Sequence, residues 1–115
     1  MLNPGKPTSV KGVNQLSQKS ISSIRNALQT VCTDPRINQI ILFGSHALGL
    51  ERKQSDIDLY LDSNGQISGL AFFSLKAAIE DALETEIDLL PDLDVVPGSL
   101  IENEIRRFGV TVFAR

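Results

Sequence analysis

The chain has 115 residues, the length of one small domain, and its 42% hydrophobic and 22% charged residues are typical of a soluble globular protein. A net charge of -3 disfavours a primary role in binding nucleic acid, because such binding usually needs a basic surface. A single cysteine, Cys32, excludes an internal disulfide and fits a reducing compartment. No apolar run approaches the length of a membrane span, so we expect no membrane association and a cytoplasmic protein.

The N-terminal part of the sequence divides into an arm and a helix. Residues 1–13 contain two prolines and two glycines and are predicted to form a flexible arm, followed by a single domain over residues 14–115. From about Asn14 apolar residues recur at helical spacing, and proline at position 35 should end this helix. The apolar stripe comprises Leu16, Ile21, Ile24, Leu28 and Val31.

Two predicted strands surround a glycine-serine turn. The segment from Ile40 to Phe43 is short and rich in β-branched residues, which indicates a buried strand that ends at Gly44-Ser45. The next strand alternates, and because residues two apart share a face, Asp56 and Asp58 should project together. Two adjacent carboxylates require a neutralising cation, and carboxylate oxygens suit a hard divalent metal.

The remaining elements complete an α+β pattern. A turn at Ser63-Asn64-Gly65 precedes a helix that Ser68 should cap, with an apolar stripe that includes Phe72 and Ile79. A third strand should run over residues 86–90 and a last strand over residues 110–113. A capping box at residues 99–102 predicts a short helix with a buried stripe of Ile101, Ile105 and Phe108 and a stop at Gly109.

This order of elements predicts one mixed β-sheet of about four strands, with helices packed mainly on one face. The apolar residues of the second and third strands should face the helices. The opposite face should then carry Asp56, Asp58 and Asp88 together. Asp92 and Asp94 follow a proline and are interpreted as turn residues.

Three carboxylates beside a glycine-serine turn suit phosphate chemistry with metal ions. Asp56 and Asp58 could hold two Mg²⁺ ions roughly 3.5–4 Å apart, the spacing of two-metal phosphoryl-transfer sites. Asp88 could share one metal and accept a proton from the attacking hydroxyl. Gly44 would allow close approach of a phosphate, and Ser45 could donate its hydroxyl and backbone N–H to the phosphate oxygens.

These residues resemble a known signature. Gly44-Ser45, followed after ten residues by Asp56-Ile57-Asp58 and later by the strand around Asp88, is similar to the pattern of the DNA polymerase beta-like nucleotidyltransferase superfamily. The short length resembles that of its minimal nucleotidyltransferases, the MNT proteins. The resemblance extends from about Ile37 to the end of the sequence.

The resemblance implies a nucleotidyltransferase fold and transfer of a nucleotide, most often AMP from ATP, with release of pyrophosphate. MNT proteins are commonly encoded beside HEPN-domain proteins as toxin–antitoxin pairs. The MNT antitoxin adds AMP to a tyrosine of the HEPN toxin. We therefore expect a HEPN partner, ATP as substrate, two Mg²⁺ ions, and a hetero-oligomer or homodimer.

One position departs from the family pattern, which usually reads Gly-Ser-x-Ala-Arg-Gly. Leu48 stands where arginine is usual, which removes a cation expected near the triphosphate. Arg52 and Lys53 are the candidate replacements, and His46 is a further candidate nucleotide contact, with an exposed turn side chain as the alternative. An antitoxin that neutralises its partner by binding, with little catalysis, therefore stays open. Transfer to a small molecule is a further alternative, disfavoured because such enzymes usually carry an additional helical domain.

Overall fold

The computed structural model of this protein describes residues 20–44 and 57–115. Within these two ranges the chain forms helices and strands in the order that the sequence predicts. The helices are α1 (Ile21–Val31), α2 (Gly69–Leu83), the 3-10 helix Asp92–Asp94 and α3 (Leu100–Phe108). The strands are β1 (Gln39–Phe43), β2 (Ile57–Asp62), β3 (Ile87–Pro91) and β4 (Val110–Ala114).

The four strands form one mixed sheet in the order β3-β2-β1-β4. β1 is antiparallel to both β2 and β4, and β2 is parallel to β3. A parallel neighbour requires a crossover connection, and α2 supplies it between β2 and β3. The predicted mixed sheet of about four strands is confirmed.

The two faces of the sheet differ in polarity, as β2 shows most clearly. Ile57, Leu59 and Leu61 are buried, whereas Asp58 and Tyr60, which alternate with them, are partly exposed. This period of two follows from the pleat of a strand, which sends successive side chains to opposite faces. One face of the sheet is therefore apolar, and the other carries the aspartates.

The hydrophobic core lies between the apolar face and helices α1 and α2. Ile24 and Leu28 of α1 and Ile79 and Leu83 of α2 are buried in one cluster with the strands. The strand residues of this cluster are Ile40, Leu42, Ile57, Leu59, Leu61, Ile87, Leu89 and Val112. Helix α3 lies near the opposite face, since its Ile105 lines a groove with strand residues of that face. The prediction of helices mainly on one face is confirmed.

Helix α1 begins later than the sequence suggests. It begins at Ile21 instead of near Asn14, because the Ser20 hydroxyl accepts a hydrogen bond from the backbone N–H of Ser23 and caps the helix there. The predicted arm, residues 1–13, and residues 14–19 lie outside the described residues.

Two predicted apolar stripes are partly wrong. In α3 only Ile105 is buried, while Ile101 and Phe108 are 42% and 49% exposed. In α2, Ile79 is buried but Phe72 is only partly buried and packs edge-on against the exposed Phe73. The N-terminal cap of α3 also differs in detail, because Ser99 accepts from the Glu102 N–H but Glu102 accepts from Gly98 instead of Ser99. Helical periodicity identified the helices, but not which side of each meets a neighbour.

Candidate active site

Asp58 and Asp88 occupy matching positions on neighbouring strands. They are register partners in the parallel pair β2–β3, so their side chains leave the same face of the sheet at adjacent positions. Neighbouring strands lie about 4.8 Å apart, which brings the two carboxylates within reach of one bound ion. Asp58 is partly exposed and Asp88 is exposed. The structure thus brings together two of the three aspartates that the sequence predicts.

Gly44 lies against this pair at the end of β1. Phe43, the residue before it, pairs with Asp58 across the strands. A Cβ atom added to Gly44 would collide with Oδ2 of Asp58. The backbone of Gly44 has a φ of 78°, a conformation that side chains other than glycine rarely adopt. Glycine is therefore required here for two reasons, the backbone conformation and the space that the Asp58 carboxylate occupies.

The start of β3, one residue before Asp88, is tied to α2. The backbone N–H of Ile87 donates to Oε2 of Glu80 at 3.0 Å, and the same oxygen forms an ion pair with Nζ of Lys76 at 3.0 Å. The hydrogen bond from Ile87, followed by that from Lys76, lowers the pKa of Glu80. The ionised Glu80 therefore fixes the end of the strand that presents Asp88.

The other predicted site residues lie outside the described residues: Ser45, His46, Arg52, Lys53 and Asp56, together with Leu48. Their roles stay predictions. Among residues 20–44 and 57–115, no group of three or more histidine, cysteine, aspartate or glutamate side chains is arranged to hold a metal ion. Asp56, the third carboxylate of the predicted site, lies outside these two ranges.

A groove of about 420 Å³ opens on the Asp58 face of the sheet, between the strands and α3. Tyr60 lies on its floor, two residues along β2 from Asp58, and Ile41 is the register partner of Tyr60 on β1. The lining also includes Asp92, Glu102, Ile105 and Thr111. Burial, followed by the charges of Asp62, Asp92 and Glu102, raises the pKa of Tyr60, so its phenol stays protonated and can donate a hydrogen bond.

Sequence reasoning missed this groove. It placed Glu102 only in a capping box and predicted no functional contact for Tyr60. Glu102 does cap the start of α3, through the Gly98 N–H instead of the Ser99 N–H, and only its Oε1 takes part. Asp92, predicted to be a turn residue, does hold a turn, because its Oδ2 accepts from the backbone N–H groups of Ser63 and Gly65. The alternation of Asp58 and Tyr60 along β2 was the one signal that placed Tyr60 beside the site.

Cys32 takes no part in this site. It is buried at the end of α1 within the hydrophobic core. Burial raises the pKa of its thiol to about 11, which keeps the sulfur protonated and unreactive. Cys32 is therefore a small hydrophobic residue of the core.

The fold and the Asp58–Asp88 face define a class of protein. Residues 24–115 match the family described as Polymerase beta, Nucleotidyltransferase. The protein belongs to this family, which confirms the resemblance seen in the sequence.

Two relatives with similar sequences are assigned as protein adenylyltransferases. Over 76 residues the chain is 29% identical to a Methanocaldococcus jannaschii protein assigned as a protein adenylyltransferase, and the match covers 63% of this chain and 88% of that protein. It is 30% identical over 56 residues to the protein adenylyltransferase MntA of Shewanella oneidensis, covering 49% of this chain and 40% of MntA. The match therefore spans less than half of MntA.

A solved structure shares the fold. It is the complex of a tri-AMPylated HEPN toxin from Shewanella oneidensis with its MNT antitoxin, and it superposes with a TM-score of 0.62 at 17% identity. The alignment covers 84% of this chain and 74% of the other. At this level of identity the likeness establishes the fold alone. No helix in the described part of the chain is long and apolar enough to cross a membrane.

Proposed function

We propose that this protein transfers AMP from ATP to a partner protein of the HEPN type, in a Mg²⁺-dependent reaction, and so acts as the antitoxin of a toxin–antitoxin pair. The observation that carries this proposal is the in-register pair Asp58 and Asp88, with Gly44 against it, on the sheet of a nucleotidyltransferase. Relatives support the acceptor, since MntA is a protein adenylyltransferase and the MNT antitoxin of the solved complex accompanies an AMPylated toxin.

The donor set fits a magnesium ion. Mg²⁺ is usually bound through one or two carboxylates together with substrate phosphates and waters. Asp58 and Asp88 supply two carboxylates from one face of the sheet, and we assign Asp56 as the third. When bound, the metal would neutralise the charge of the triphosphate and orient its phosphates.

The residues of the chain then have separate roles. The acceptor hydroxyl attacks the α-phosphorus of ATP, a new oxygen–phosphorus bond forms, and the bond from this phosphorus to the bridging oxygen of the β-phosphate breaks. Pyrophosphate leaves. We assign the hydroxyl proton to Asp88, whose exposed side chain can pass it to water. We assign the phosphate contacts to Gly44 and Ser45, whose backbone N–H groups, with the Ser45 hydroxyl, would donate to the phosphate oxygens.

Exposed apolar side chains support a protein partner. Leu93 in the 3-10 helix and Val96 just after it are 68% and 65% exposed, and Leu100 at the start of α3 is 87% exposed. Exposed apolar residues that occur close together mark interaction surfaces more often than residues that occur singly. We therefore propose a hetero-oligomer as the working form of the protein.

A second candidate function rests on Leu48. Because the usual arginine is absent, the protein could bind its partner and neutralise it with little transfer of AMP. This candidate predicts a tight complex without modification of the partner. The first candidate predicts modification, so one assay separates them.

The test is to purify the protein together with the product of the adjacent gene, to add ATP labelled in the α-phosphate and Mg²⁺, and to follow the label on the partner. We expect labelled partner that depends on Mg²⁺. A tight complex with no label from the wild-type protein would contradict the enzyme and favour the binding antitoxin. Label that survives Asp56→Asn combined with Asp58→Asn would contradict the assignment of the site.

A further inference from the structure

The groove beside Asp58 has the size and lining of a small-molecule site. Its volume of about 420 Å³ falls within the range of roughly 300–1,000 Å³ that is usual for ligand pockets. Such pockets combine apolar and aromatic walls with a few polar groups. Here Ile41 and Ile105 are apolar walls and Tyr60 is the aromatic group. The polar side chains of the lining are Asp92, Glu102, Arg106 and Thr111.

The groove lies at a suitable distance from the proposed phosphate site. Tyr60 follows Asp58 by two residues on the same face of β2, which is a separation of roughly 6.6 Å at 3.3 Å per residue. A molecule whose phosphate lies at Asp58 could therefore place its other end over Tyr60 without bending around the sheet. The groove continues the site along one face.

In each of the two groove carboxylates, Glu102 and Asp92, one oxygen makes contacts within the protein and the other makes none with the described residues. Both contacts of Glu102 go to Oε1, which accepts from the Gly98 N–H at 2.7 Å and pairs with Nη2 of Arg106 at 3.2 Å. Both contacts of Asp92 go to Oδ2. Oε2 of Glu102 and Oδ1 of Asp92 accept no hydrogen bond from any residue in the two described ranges. A ligand in the groove would need donors for these two oxygens, because an acceptor without a partner is costly once water is displaced.

We propose that this groove binds the nucleoside part of the nucleotide substrate, with the base against Tyr60 and with donor groups of the base or ribose on Glu102 and Asp92. The inference rests on the proposed function and adds a specificity site to it. The acceptor side chain fits less well. A tyrosine brings a single hydroxyl, and that hydroxyl must lie at the α-phosphate, so both carboxylates would remain without a donor. The lining carries two carboxylates and one arginine, Arg106, which is already paired with Glu102, so its net negative charge also disfavours the triphosphate there.

Calorimetry with two ligands tests this assignment. The full chain is titrated with α,β-methylene ATP, which cannot transfer AMP, and separately with tripolyphosphate, both with Mg²⁺. We expect the wild-type protein to bind the nucleotide at least about tenfold more tightly than tripolyphosphate, since only the nucleotide enters the groove. Tyr60→Leu and Glu102→Gln should each lower nucleotide affinity by about tenfold and leave the affinity for tripolyphosphate unchanged.

The control is Glu104→Gln, which removes the same charge from α3 at a residue outside the groove lining and should change neither affinity. Glu102→Gln keeps an oxygen that can accept from the Gly98 N–H, so this variant should stay folded. It therefore tests the groove on its own if Tyr60→Leu does not fold. Equal binding of the two ligands by the wild-type protein would overturn the groove assignment alone. Unchanged nucleotide affinity with weakened partner binding in both groove variants would overturn it in favour of the acceptor. Absence of binding for both ligands would overturn the proposed function as well.

Discussion

Gly44 and Asp58 are packed so closely that no side chain other than hydrogen fits between them. A Cβ on Gly44 would collide with Oδ2 of the Asp58 carboxylate and would also lie only 3.2 Å from its Cγ. The end of β1 therefore shapes the position of a predicted metal ligand on β2. The sequence predicted Gly44 as the place where a phosphate approaches, and the structure adds that it makes room for the aspartate.

Replacing Gly44 by alanine should damage the site more than the fold. The positive φ alone should cost about 1–2 kcal/mol of stability. Displacement of the Asp58 carboxylate should in addition lower AMP transfer by about 100-fold, since small misplacements of reacting groups have effects of this size. The measurements are urea unfolding and transfer of labelled AMP to the partner.

Gly98→Ala is the matched control. Gly98 has a similar φ of 82° but has nothing within 4 Å of the added Cβ. It should lose similar stability and keep its activity. Equal loss of activity in the two variants would show that backbone strain, not contact with Asp58, explains the result.

The Glu80 carboxylate should make stability depend on pH. Its pKa is lowered in the folded protein by the hydrogen bond from Ile87 and then by Lys76, from an ordinary value of 4.5. A group with a lowered folded pKa contributes stability above its unfolded pKa and loses that contribution as the pH falls through the folded value. The stability difference between the wild type and Glu80→Gln should therefore be largest near pH 7 and shrink as the pH falls below 4.5.

Urea unfolding at pH 7 and at pH 3 measures this difference. Glu84→Gln changes an exposed glutamate just after the same helix and should not alter stability at pH 7. A gap between wild type and Glu80→Gln that grows toward low pH would contradict the assigned direction. The same variant should also slow AMP transfer without weakening nucleotide binding, because Ile87 directly precedes Asp88.

Gly109 should be essential for a different reason from Gly44. Its φ of -68° is open to any residue, but a Cβ would collide with the carbonyl oxygen of Ile105 and with the side chain of Ile41. Gly109→Ala should destabilise the protein by about 1–3 kcal/mol through overpacking between α3 and the sheet. Urea unfolding measures the loss.

Gly69→Ala provides the contrasting control. Gly69 has a φ of 59° and no atom within 4 Å of an added Cβ, so strain acts there without a clash. A double substitution of Gly109→Ala with Ile41→Val, which leaves the side-chain clash in place, should not recover stability. If Gly109→Ala alone has the same midpoint of urea unfolding as the wild type, the close approach of α3 to β1 is wrong.

The sheet could be predicted from sequence because its signal is local. Alternation along β2 placed Ile57 and Leu59 in the core and Asp58 on the other face, and each of these positions is confirmed. The partnership of Asp58 and Asp88 followed from the same alternation in β3. The two aspartates are neighbours because β2 and β3 pair side by side in parallel, and this pairing depends on the order of the strands in the sheet.

Other features depend on contacts that a single segment does not encode. Helix α3 has an apolar stripe, but it meets the sheet near its end and buries only Ile105, so Ile101 and Phe108 remain exposed. The groove joins residues from β1, β2, the 3-10 helix and α3, and no spacing in the sequence connects Tyr60 with Glu102. The role of Ser45, His46, Arg52, Lys53 and Asp56 stays a prediction.

The most direct test of the account is a side-by-side assay of three aspartate variants for transfer of labelled AMP to the co-purified partner. Asp58→Asn removes a proposed metal ligand, and Asp88→Asn removes the proposed proton acceptor. Each should lower transfer of AMP by at least about 100-fold. Asp62→Asn alters an aspartate on the same strand and face as Asp58, where the remaining oxygen can still accept from Gln39. It should transfer AMP at close to the wild-type rate. Transfer by Asp58→Asn or Asp88→Asn at the rate of Asp62→Asn would contradict the proposed active site.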